Sequence, residues 1–190
     1  APAGTRPLQR RAGLPFAFAA GGFLALLFSF WIPSLSYTSV AASTALVTTN
    51  PVWVTLLGWW LFGERPSFLT MLGVGVALLG GVLIGLGDSE GGGGANPLLG
   101  DFLALLGAVA ASCYFLLGRE AQRRGLSTWA YVRVAYTAAA LLLLPLPYLF
   151  GGGYGGDPLE VYAYLLLTAL LPHLVGPTTA NRATRHIPPV

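Results

Sequence analysis

The sequence predicts an all-α integral membrane protein, and three observations carry that expectation: charge is scarce, the apolar runs are long, and the arginines fall on alternate loops. Charged residues make up 9% of the 190 residues and apolar residues 55%, whereas a soluble domain carries roughly 25% Asp, Glu, Lys and Arg. With a mean hydropathy of +0.69, the chain has too little charge to cover a surface that faces water. The same composition excludes intrinsic disorder, which needs low hydrophobicity. Cys113 is the only cysteine, so a disulfide scaffold is excluded as well. The net charge of +3 comes entirely from arginine; basicity of this kind fits cytoplasmic membrane loops and no nucleic-acid partner.

The apolar stretches, of about 16 to 23 residues, match the thickness of a bilayer core and set out six transmembrane helices. The basic leader 1–14, with Arg6, Arg10 and Arg11, precedes a first span over Pro15–Ser34 that is too long for a signal peptide. Leu35–Ser39 turns the chain. The second span, Val40–Phe62, contains Pro51; proline frees a carbonyl one turn earlier and bends the helix where hydroxyls, neighbours or water can satisfy that group. Thr48, Thr49 and Asn50 stand immediately before it. The third span, Phe68–Leu86, is rich in glycine, and Gly81 and Gly85 have the four-residue spacing of a helix-packing face.

Residues 88–100 form a glycine-rich linker between two halves. The fourth span is Asp101–Leu117 and the fifth is Thr128–Phe150. The sixth begins near Leu159 and continues past the helix-bending Pro172 and Pro177. Nine of the ten arginines fall in the leader, in the turn after the second span, in the loop after the fourth and at the end of the sixth. The intervening loops carry acids and no arginine. That alternation predicts six crossings with a cytoplasmic N-terminal leader, in the cell inner (plasma) membrane.

Arg133 is the exception, about six residues and hence roughly 9 Å into the fifth span. It either snorkels to the headgroups or faces a wet cavity. His173 and Asn181 lie beside Pro172 and Pro177. They either satisfy carbonyls freed by the prolines or serve a ligand, His as a proton carrier and Asn as donor and acceptor. Thr48, Thr49 and Asn50 pose the same choice. Trp59 and Trp60 read as interfacial belt residues, as do Trp31 and Tyr37. Trp53, one turn from Asn50, is the better candidate for a cavity wall. Glu64 and Arg65 read as an ion pair within the turn. No catalytic pair, metal-spaced set or phosphate loop is present in the sequence, so it predicts neither an enzyme nor a cofactor or metal site.

Tyr37-Thr38-Ser39, Asn50-Pro51, Gly63-Glu64-Arg65 and the following glycine-rich helix resemble the later part of an EamA repeat of the drug/metabolite transporter superfamily. Gly100-Asp101-Phe102-Leu103-Ala104-Leu105, with Tyr114 and Gly118-Arg119, is similar to the start of a second repeat. The resemblance implies a fold of ten helices in two five-helix inverted repeats, with this chain covering helices three to eight. Residues 15–87 would then be the last three helices of the first repeat and 101–190 the first three of the second. It implies secondary transport of small metabolites, amino-acid-like or related polar or amphipathic solutes or drugs, by alternating access. The cavity residues it implies are Trp31, Asn50, Trp53, Tyr114, His173 and Asn181. The partners are the lipid bilayer and a small-molecule substrate, with homodimerisation left open. The alternative is a membrane structural or interaction protein, or an inactive transporter fragment, whose polar groups only satisfy broken helices.

Overall fold

The computed structural model describes residues 6–88, 94–149, 153, 155, 158–164 and 166–167, with side chains from 12 onward and excepting those of 84–88. The described residues are helical and contain no strand. The elements are α1 (Arg6–Tyr37), α2 (Val40–Val47), α3 (Asn50–Phe62), α4 (Phe68–Asp88), α5 (Pro97–Arg123), α6 (Thr128–Leu143) and α7 (Leu146–Leu149). The chain divides into two compact units, Ala1–Leu146 and Pro147–Val190. In the second unit, helix is described over residues 147–149, 159–164 and 166–167. Most of the sixth expected span, with Pro172, His173, Pro177 and Asn181, lies outside the described residues.

Four stretches are long and apolar enough to cross a membrane: Ala12–Tyr37, Val40–Phe62, Pro97–Arg123 and Thr128–Leu149. They match the first, second, fourth and fifth expected spans. The apolar described part of α4, Phe68–Leu83, is shorter, although the helix as a whole has 21 residues. The first span differs from expectation at both ends. Helix begins in the basic leader and runs through Pro15 and Pro33 to Tyr37, so the turn is only Thr38–Ser39. Ser39 then caps α2 by accepting from the Ala42 amide at 3.0 Å.

The other helix ends follow from local chemistry. Asn96 caps α5 through the Leu99 amide at 3.3 Å, with Pro97 at the first helical position, where a missing N–H costs nothing. Ser127 caps α6 in the same way through Ala130. Gly63 ends α3 at φ 66°, a left-handed conformation open to glycine without strain. The Gly63 amide donates to the Trp59 carbonyl and the Glu64 amide to that of Gly58, so two orphan carbonyls are satisfied as the chain turns.

In the first unit α5 is central, packing against α1, α2, α3 and α6. Its buried side chains are small: Ala104, Ala108, Ala111, Ser112 and Ala121 among them. Lipid tails are as apolar as leucine, so helices associate in a membrane by close van der Waals approach rather than by escape from water, and small residues permit that approach. A Cβ on Gly21 of α1 would stand 2.6 Å from the Ala135 carbonyl oxygen and from the Ala138 Cβ of α6. A Cβ on Gly13 would lie 2.8 Å from the Ala121 carbonyl oxygen. Of the packing face expected at Gly81 and Gly85 on the third span, the surroundings of Gly81 are described: its Cβ position lies 3.7 Å from Thr49, whereas Gly73, Gly75 and Gly80 meet nothing within 4 Å. The closest helix contacts use glycines of α1 and α5 instead.

Candidate functional site

The second expected span is not one bent helix but two helices separated by Thr48–Thr49, with Pro51 in the first turn of α3. Proline is tolerated there because its missing N–H falls among donors a helix start leaves unpaired anyway. The hydroxyls before it repair the break. Thr48 Oγ1 donates to the Ala45 carbonyl at 2.8 Å and Thr49 Oγ1 to that of Leu46 at 2.6 Å. From the far side, Ser112 Oγ of α5 lies 3.0 Å from the Asn50 carbonyl oxygen and 2.8 Å from that of Ala108. The two threonine hydroxyls therefore act on backbone, and the break is clamped to the central helix.

Beside the break lies a cavity of about 250 Å³ between α2, α3, α4 and α5, lined by Thr49, Trp53, Gly81, Asp101 and Leu105 among others. Trp53 is thus a cavity wall. Asp101 stands at the start of the fourth expected span, and its Oδ1 is buried and has no hydrogen-bond partner. The signal for it was present in the sequence: a carboxylate one turn inside an otherwise apolar helix start.

The remaining candidates are spread over other surfaces of the bundle. Trp31 of α1 packs against α5 at Gly107, and its indole Nε1 is also buried without a partner. Nearby, the fully buried hydroxyls of Ser34 and Ser43 meet at 2.6 Å and tie α1 to α2. Tyr114 faces α6: its ring stands 5.8 Å from that of Tyr131, whose hydroxyl donates to the Tyr114 carbonyl at 3.2 Å. Tyr114 lines a separate cavity of about 390 Å³ with Arg119, Gln122 and Thr128. Trp53 and Tyr114 therefore do not share one pocket.

One end of the bundle carries the charges. Glu64 was expected to pair with Arg65 inside its turn; it pairs instead with Arg119 of α5 at 2.7 Å and with Arg123 at 3.5 Å. The cap at Gly63 turns the next residue back toward the bundle, within reach of α5. The hydrogen bond from Arg119 holds the Glu64 carboxyl below the usual carboxylate range, with partial desolvation opposing it. The Arg119 guanidinium also lies 5.2 Å from the Phe62 ring centre, and that of Arg124 lies 4.0 Å from the Phe16 ring centre. These contacts gather the start of α1, the α3–α4 turn and the α5–α6 turn at one end. At the opposite end the Asn96 amide donates to the Tyr37 carbonyl at 3.3 Å, and Gly100 packs against Thr38. Arg133 is exposed, its Nε 3.4 Å from the Trp129 carbonyl oxygen one turn back toward the arginine-rich end.

Apolar helices of spanning length, joined through small-residue contacts and a repaired break, define a multi-pass helical membrane protein. Residues 2–86 match the EamA-like transporter family. Two curated relatives extend the similarity. The thiamine-repressible mitochondrial transport protein of Saccharomyces cerevisiae is 34% identical over 120 residues, covering 61% of this chain and 32% of the relative. The "Probable 4-amino-4-deoxy-L-arabinose-phosphoundecaprenol flippase subunit ArnE" of Hamiltonella defensa is 32% identical over 75 residues, covering 40% of this chain and 63% of the relative. The chain thus spans less than two thirds of the length of either. No solved structure matches it.

Proposed function

We propose that the chain works in secondary transport of small polar or amphipathic solutes across the inner membrane by alternating access, with the Arg-rich end in the cytoplasm. The observation that carries this reading is the broken second span: backbone irregularity at membrane depth is tolerated where it is buried in protein or lines a cavity, and here it adjoins one that Trp53 walls. The match of residues 2–86 to the EamA-like transporter family and the transport and flippase names of two relatives support the same class. The amino sugar in one of those names makes amine-bearing solutes the first to try. In this reading Trp31, Asn50, Trp53, Tyr114, His173 and Asn181 contribute to the route, and Pro51, Pro172 and Pro177 set its bends. Orientation rests on the retention of arginine-rich loops in the cytoplasm.

The test is uptake of labelled amino acids and amino sugars into vesicles from cells producing the protein, compared with vesicles lacking it. Uptake above that background, falling at least about tenfold in Asn50→Ala and Trp53→Ala, is the expected result. Transport unaltered in both variants removes these residues from the route, and no transport of any solute removes the reading.

A further inference from the structure

We propose that the cavity between α2, α3, α4 and α5 binds a small organic cation, an alkyl- or arylalkylammonium, with Asp101 as its charge partner and the Trp53 ring as a wall. The proposal names a substrate class for the transport reading above and rests on it. Two independent observations point to a ligand here: a cavity of about 250 Å³, and a carboxylate oxygen of one of its lining residues that is buried with no partner.

A buried ionised group needs a counter-charge and hydrogen bonds. Asp101 lies in the second turn of α5, with its Oδ1 buried. Among the described residues of the first unit no cation lies at this end, and the sequence of residues 38–39 and 88–96 contains no Arg, Lys or His. Of the lining side-chain donors, Thr49 Oγ1 is engaged with the Leu46 carbonyl and the Trp53 indole N–H makes no hydrogen bond to Asp101 Oδ1. The missing partner is therefore a donor that the ligand brings. The remaining walls are apolar, including Leu46, Leu78 and Val82, which suits a hydrocarbon body, and an indole face attracts an ammonium group through its quadrupole. An apolar cavity of about 150 Å³ takes benzene, so the larger volume here leaves room for an aromatic ring with a short aminoalkyl arm.

Radiolabelled phenethylammonium, dialysed at neutral pH against the purified full chain in nanodiscs, tests this. We expect one saturable site, weakened at least about tenfold in Asp101→Asn and retained in Asp101→Glu, with helicity and elution volume as checks on folding. The neutral isostere 2-phenylethanol should compete at least about tenfold less well than unlabelled phenethylammonium. Absence of saturable binding to the folded chain overturns the proposal. So does unchanged binding in Asp101→Asn, or equal competition by the alcohol. If Asp101→Asn does not fold, the competition on the native chain decides. Saturable cation binding without vesicle uptake would leave this site standing and remove the transport reading; uptake of uncharged solutes without cation binding would do the reverse.

Discussion

Glu64 shows how one side chain can tie together parts of the chain far apart in sequence. Arg119 stabilises its ionised form, so its pKa in the folded protein lies below the unfolded value. The sign follows: the stabilisation is complete above the unfolded pKa, near 4 for a glutamate (about 4.3), and is lost as pH falls through the lowered folded value. Thermal unfolding in detergent across that acid window should show stability declining with pH in the native chain and a flatter profile in Glu64→Gln. The Ser34–Ser43 hydroxyl pair offers a second residue-level test. Both groups are fully buried and meet at 2.6 Å, and interhelical hydrogen bonds in membranes contribute about 0.6 kcal/mol on average and up to about 1.7 kcal/mol. A double-mutant cycle of Ser34→Ala and Ser43→Ala should give a coupling energy in that range; zero coupling would mean that the pair does not fasten α1 to α2.

At the level of elements, glycine position matters more than glycine number. Gly21→Ala forces a methyl group to within 2.6 Å of the α6 backbone, an overpacking that costs about 1–3 kcal/mol. Gly73→Ala on α4 meets nothing within 4 Å and should be neutral or stabilising by up to about 1 kcal/mol, the helix-propensity difference. The two melting temperatures should therefore move in opposite directions or differ clearly in size. Equal shifts would contradict the α1–α6 contact. The sequence shows glycine crowding on α4, but not which face of a helix meets another, because spacing along one helix carries no information about its neighbour. For the same reason Thr48, Thr49 and Pro51 announced an irregularity, whereas its form, two helices with the proline in the first turn of the second, depends on how α5 clamps the break through Ser112.

For the whole molecule, the contacts place Arg65, Arg119, Arg123 and Arg124 toward one end of the first unit and Asn96 and Gly100 toward the other. Which end faces the cytoplasm is open to a direct measurement. In a Cys113→Ala background, Ser67→Cys should react with a membrane-impermeant maleimide only after the cells are opened, and Ala95→Cys in intact spheroplasts. The reverse pattern would invert the proposed topology.

The sequence by itself determined that the protein is an all-helical membrane protein, where four segments long and apolar enough to cross a membrane lie, which loops carry arginine, and, through the Asn-Pro and Gly-Glu-Arg motifs, a resemblance to the EamA-like transporter family that residues 2–86 match. Those properties follow from composition and from distances along the chain, which a bilayer of fixed thickness converts directly into structure. Only the tertiary structure decided that Glu64 pairs with Arg119 rather than Arg65, that Trp53 and Tyr114 line different cavities, and that Asp101 leaves an oxygen buried and unpaired beside one of them. Each of these joins residues tens of positions apart, and their meeting depends on how closely small side chains allow the helices to pack.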